Sequence, residues 1–118
     1  MIKRGWGRII NISGMAGRQS GSTIGSIRNV SVVALTKNLA DELGEHGINV
    51  TAVHPGATRT EHTAPEAEEQ MGENNSVKQM IDAHDIAAVV AFLASPKSVA
   101  ISGDVIAAGG GVGKSIYY

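Results

Sequence analysis

Cysteine is missing altogether from the 118-residue chain, which excludes disulfides and thiolate metal sites and is compatible with a reducing compartment. Neither sign of charge dominates. Ten basic residues stand against eleven acidic ones, for a formal net charge of -1. The basic residues Lys3, Arg4, Arg8, Arg18, Arg28 and Lys37 are scattered, so no electrostatic footprint for nucleic acid or a membrane surface is expected. No segment approaches the roughly 20 apolar residues of a membrane helix. The opening MIKRGWGRIINIS has too short an apolar run before Asn11 for a signal peptide, and the expected location is cytoplasmic. His54, His62 and His84 are too dispersed to suggest a metal, and His46, in the turn GEHG, is expected at the surface.

What is present reads as a soluble globular chain, 42% apolar and 18% charged, long enough for a single unit over residues 1–118. GRIINIS, Gly7 to Ser13, places Ile9 and Ile10 side by side and therefore on opposite faces, as in a parallel-sheet strand buried on both sides. GMAGRQSGS follows as a loop. In Thr23 to Leu43, the residues Ile24, Ile27, Val30, Val33, Leu35, Leu39 and Leu43 recur at helical spacing, and Gly44 and Gly47 signal the stop. INVTAVH, Ile48 to His54, is a second strand closed by Pro55 and Gly56. Residues Ala57 to Gln79 are polar and acidic, a mobile loop with a short helix whose charges form a solvated face. A third helix, from Asp82 or His84 to Ala94, is expected to bury most of one side, and a last strand runs from Asp104 to Ala108. The order predicts an α/β domain with three parallel strands and crossover helices.

Two stretches imitate phosphate loops. AGGGVGKS, Ala108 to Ser115, has P-loop spacing with alanine in the first glycine position, but only Ile116, Tyr117 and Tyr118 follow, too few for the helix whose amides the motif needs. A glycine-rich tail is the better reading. The loop Gly14 to Gly25 lies between a strand and a helix yet lacks the GxGxxG pattern, and the next strand ends in His54 and Pro55 where an acidic ribose ligand belongs.

Taken together, GRIINIS, ALTKNLADELGEHGINV, VHPGATRT and FLASPKSVAISGDVIAAGGG resemble the short-chain dehydrogenase/reductase family over Gly5 to about Gly111. The resemblance implies a partial Rossmann-type fold, matching the carboxy-terminal half of such proteins, and an oxidoreductase using NAD or NADP on a small carbonyl or alcohol. It also implies a homo-oligomer through the helix around residues 23–43, where Gly25, Ser26 and Ser31 permit close approach. The family's amino-terminal phosphate loop and ribose selector have no counterpart, so a complete cofactor site is not expected in this chain and the choice between NAD and NADP stays open.

The resemblance further implies a serine that polarises substrate and a YxxxK pair on the helix, whose spacing of four puts the phenol and ammonium on one face. Here the tyrosine position falls on Gly25 and the lysine position on Asn29. Neither replacement carries the original chemistry, and no tyrosine precedes Tyr117 to restore it. The serine pair is reduced to Ser13 and Gly14, leaving Ser13 as the substitute catalytic residue. Arg28 is read as an exposed, salt-bridging arginine rather than a phosphate or ribose ligand. The turn with Pro55, Gly56, Thr58 and Thr60 is implied to contact the nicotinamide end of the cofactor, or to survive as a structural turn. The expected chain is thus a truncated oxidoreductase without its standard triad, the alternative being a non-catalytic binding or assembly module.

Overall fold

The computed structural model describes residues 1–116, so Tyr117 and Tyr118, which entered the reading of the tail, lie outside the described residues. Strands β1 (Gly7–Ile12), β2 (Ile48–Pro55) and β5 (Val105–Ala108) form a parallel sheet in the order β1-β2-β5. Ile9 lies opposite Val50, Asn11 opposite Ala52, and Ala52 in turn opposite Val105. The central strand is the core: Val50, Ala52 and Val53 are fully enclosed, as expected of β-branched and small residues covered on both faces. β1 departs from its expected burial on both sides. Arg8 to Asn11 are half-buried and Ile12 is 56% exposed, because β1 has a neighbour on only one side among the described strands.

Helix α1 (Thr23–Leu43) starts at Ser22, whose hydroxyl accepts from the Gly25 amide at 3.1 Å, the usual capping of an orphan donor. It leads through a short 3-10 turn into Gly47, at φ 75. A Cβ at Gly47 would lie 2.2 Å from the Gly5 carbonyl oxygen, so both the left-handed backbone and the close approach require glycine. The face that α1 lays on the sheet takes only part of its large apolar residues, Leu39 and Leu43, which pack on the core. Asn29, Thr36 and Ala40 are buried, while Ile24, Ile27, Val30 and Leu35 are at least half exposed. Thr36 accepts from Asn11 Nδ2 of β1 at 3.0 Å, so a polar pair fills the seam where small side chains let helix and strand approach.

On α3 (Ala83–Ala94) one side is turned inward, with Leu93 fully buried and Ile86, Val89 and Val90 partly so, while Ala87, Ala88, Ala91 and Phe92 on the other side are exposed. Asp82 and Asp85 close a capping box at its start, which fixes this boundary. Between Ala57 and Gln79 the short helix is α2 (Pro65–Glu73), with no buried residue. Strands β3 (Thr58–Arg59) and β4 (Ile81–Asp82), a parallel two-residue ladder, close its base. Among the described residues no helix is long and apolar enough to cross a membrane.

Candidate functional site

The site is built at the carboxyl ends of β1 and β2, where the strand ends of open parallel sheets leave a crevice. Ser13 follows β1 directly and its amide prolongs the ladder, donating to the Val53 carbonyl at 2.9 Å. Its hydroxyl donates to Asn29 Oδ1 at 2.7 Å, and Asn29 Nδ2 donates to the Gly25 carbonyl at 2.7 Å. Since a carbonyl can only accept, the last bond fixes which way the amide faces. The three positions singled out in the sequence therefore meet in one hydrogen-bonded chain. Asn29 is 6% exposed, and neither an amide nor a peptide carbonyl ionises near neutral pH. This chain of groups orders the loop onto the helix but holds no acid or base.

The ionisable group beside it is one that sequence reasoning dismissed. His54 is fully buried, and neither ring nitrogen has a hydrogen-bond partner among the described residues. Gly17 packs over both it and Asn29: a Cβ there would stand 3.3 Å from His54 Cε1 and from Asn29 Cβ. Burial, aided by the Arg18 guanidinium, pushes the imidazole pKa below its ordinary value, because the charged form is poorly solvated. The available signal was an imidazole closing a strand rich in β-branched residues, INVTAVHP.

In the following turn, Pro55 ends β2 opposite Ala108. Gly56 presses against the tail, where a Cβ would lie 2.7 Å from Gly109 Cα. Thr58 Oγ1 donates to the Gly56 carbonyl at 3.0 Å. Thr60 is exposed, its amide donating to Thr63 Oγ1 at 2.9 Å and its hydroxyl accepting from the His62 amide at 3.3 Å. Arg59 is bidentate to Asp82, at 2.9 and 2.6 Å, and reaches Glu68 at 3.3 Å. The expected solvated acidic face is corrected for Glu68, which this pairing draws in from α2. Hydrogen bonding to Arg59 holds the Asp82 carboxyl below the usual carboxylate range, as a charge-assisted fork does.

The tail does not cradle phosphate. Gly110, Gly111 and Gly113 take φ of 65, 78 and 84, no helix follows among the described residues, and the Gly110 carbonyl faces inward to accept from the Ser76 and Val77 amides. Arg28 is exposed, as expected, but the salt bridge expected of it is corrected: it forms none of the ion pairs among the described residues. Trp6, at the entrance to β1, is 44% exposed, with the Arg8 guanidinium 4.8 Å above its ring. No group of three metal-capable side chains occurs among the described residues.

The family model described as Enoyl-(Acyl carrier protein) reductase matches residues 1–113. The chain is 36% identical to the 3-oxoacyl-(acyl-carrier-protein) reductase FabG of Aquifex aeolicus, over 95% of this chain and 47% of that protein. It is 32% identical to the NADPH-dependent reductase BacG of Bacillus subtilis, over 98% of this chain and 51% of that protein. In three dimensions it resembles a 7α-hydroxysteroid dehydrogenase in complex with NADH and 7-oxo glycochenodeoxycholic acid, with TM-score 0.83 and 30% identity, over 95% of this chain and 46% of the other. The chain thus spans about half the length of the curated relatives it matches. With sequence and sheet topology in agreement, the chain belongs to the short-chain dehydrogenase/reductase family.

Proposed function

We propose that residues 1–118 are one partial domain that supplies the substrate-side half of an NAD- or NADP-dependent oxidoreductase acting on a small carbonyl or alcohol in the cytoplasm. The observation that carries this reading is the turn Pro55, Gly56, Thr58 and Thr60, held at the carboxyl end of β2 beside the strand end that bears Ser13. The residues present fit the nicotinamide end of such a cofactor: the Thr60 hydroxyl is exposed, accepts from the His62 amide at 3.3 Å and lies 3.4 Å from Thr63 Oγ1, a long contact that it can exchange for a carboxamide. A nicotinamide cofactor supplies hydride transfer when bound. Ser13 is the substitute for the substrate-polarising serine, although its proton is engaged with Asn29 in this arrangement. Gly25 and Asn29 hold no proton for the reaction, so this chain alone is not expected to turn over a carbonyl substrate.

A second reading is a non-catalytic assembly module. It is favoured by the outward Ile24, Ile27, Val30 and Leu35 of α1, a stripe suited to a second copy of the same helix. Titration of the chain with NADH and NADPH, followed by nicotinamide fluorescence, separates the two. The oxidoreductase reading expects a saturable change in the millimolar range, weakened by Thr60→Val; a flat titration with either cofactor overturns it in favour of the assembly module.

A further inference from the structure

His54 lies near the end of the central strand, opposite Ala107 of β5. The 3-10 turn that packs on it, Met15–Gly17, joins Ser13 to α1 and buries none of its own residues. Two backbone bonds hold this turn in shape, from the Gly17 amide to the Gly14 carbonyl at 3.2 Å and from the Arg18 amide to the Met15 carbonyl at 2.8 Å. Gly17 meets two partners at once, since a Cβ there would stand 3.3 Å from His54 Cε1 and 3.3 Å from Asn29 Cβ. A Cβ on Gly14 would likewise lie 3.3 Å from Asn29 Oδ1, the atom that accepts from the Ser13 hydroxyl at 2.7 Å. One short turn therefore rests both on the imidazole and on the amide that holds Ser13.

The packing around the ring suits only its neutral form. His54 is fully buried and neither nitrogen has a hydrogen-bond partner among the described residues, so an imidazolium there has neither water nor an acceptor to solvate it. The charge that acts on it is the Arg18 guanidinium, which caps the same turn and donates to the Val105 carbonyl at 3.3 Å. The neighbouring positions Ser13 after β1, Asn29 of α1 and Ala107 of β5 are uncharged. Uptake of a proton thus strains the turn in two ways. The imidazolium has to reach water, for which a glycine is the thinnest cover, and it repels Arg18 at the turn's end.

We infer that His54 is a positioning residue for Ser13: its neutral ring seats the Met15–Gly17 turn and keeps the Ser13 hydroxyl on Asn29, and its protonated ring displaces the turn and releases that hydroxyl. The proton comes from solvent and no covalent bond of the chain changes. The consequence for chemistry rests on the proposed role of Ser13, because a hydroxyl released from Asn29 can donate to a substrate oxygen while an engaged one cannot. The coupling itself needs neither substrate nor cofactor.

Nuclear magnetic resonance on the full chain tests it, following the His54 Cε1 proton and the backbone amides of Ser13, Gly17 and Arg18 from about pH 8 to about pH 4. The ring is expected to titrate below its ordinary 6.5, and the three amides to shift with the same inflection, while the amides of Ile48 to Val50 at the other end of β2 stay fixed. His54→Gln, which carries no titrating ring, is expected to lose that inflection from all three amides. A titrating ring with flat Ser13 and Gly17 amides overturns the inference, as does an inflection that survives in His54→Gln, or unfolding of the whole chain before the ring takes a proton. Arg18→Gln decides the matter should His54→Gln not fold: ring and amide inflections are expected to rise together, and Ser13 and Gly17 amides that do not follow the ring overturn the coupling. No cofactor enters this experiment, so a flat nicotinamide titration overturns the oxidoreductase reading and leaves the coupling standing.

Discussion

His54 shows how much one side chain can be altered by where the fold puts it. An imidazole with ordinary pKa near 6.5 is enclosed at the end of the central strand with both nitrogens unpartnered among the described residues, and burial, then Arg18, lowers its pKa. Between the lowered folded value and 6.5 the unfolded chain therefore binds a proton that the folded chain refuses. The stability tied to this group is fully present above the unfolded pKa and is lost as pH falls from there through the folded value. The slope from one such proton is at most about 1.4 kcal/mol per pH unit. We expect the urea midpoint of the native protein to fall between about pH 7 and about pH 5, and that of His54→Leu to fall less steeply. Parallel slopes would show that His54 does not titrate with unfolding. Nothing at the level of residue spacing pointed here, because burial is a property of the sheet and not of VTAVHPG. Ser13, Gly25 and Asn29 were marked by the family resemblance, yet their union in one hydrogen-bonded chain depends on β1 and α1 being packed together.

Elements were more legible than contacts. The periodic run marked Thr23 to Leu43, and the helix has those ends; serine capping and glycine stopping are local effects that a short window of sequence contains. Which face of that helix turns inward was not local, since the sheet accepts Asn29, Thr36 and Ala40 with Leu39 and Leu43 beside them, and leaves Ile24, Ile27, Val30 and Leu35 outside. The ladder of β3 and β4 was missed because two residues are too few for an alternating pattern. Two glycines flanking β1 and β2 separate local from tertiary effects. Gly5, at φ 65, has nothing within 4 Å of an added Cβ, whereas Gly47, at φ 75, would meet the Gly5 carbonyl. Gly5→Ala should cost about 1 kcal/mol for the left-handed backbone, and Gly47→Ala more than about 2 kcal/mol, because the strand entrance must also move. Thermal unfolding midpoints rank the two, and equal losses would mean that the connection yields without strain.

For the molecule as a whole, the outer face of α1 is the surface on which the proposed assembly of copies rests. Ile24 is 77% and Ile27 63% exposed, and apolar side chains in a row along one helix gain by leaving water. Ile27→Glu with Val30→Glu is expected to shift the chain toward monomer in sedimentation velocity, with the far-ultraviolet helix signal kept. A native chain that is already monomeric would rule out assembly through this face. Composition and periodicity alone determined that the chain is an α/β protein without disulfides and where its long helix and three sheet strands run. These follow from bond rotation, capping and hydropathy, which act over a few residues. Tertiary structure alone decided that β1 is half exposed, that His54 is sealed without a hydrogen-bond partner among the described residues, that Arg59 gathers Asp82 and Glu68, and that the terminal glycines clasp Ser76 and Val77. Each of these joins residues far apart in the chain, and their solvation and pairing exist only once the sheet has brought them together.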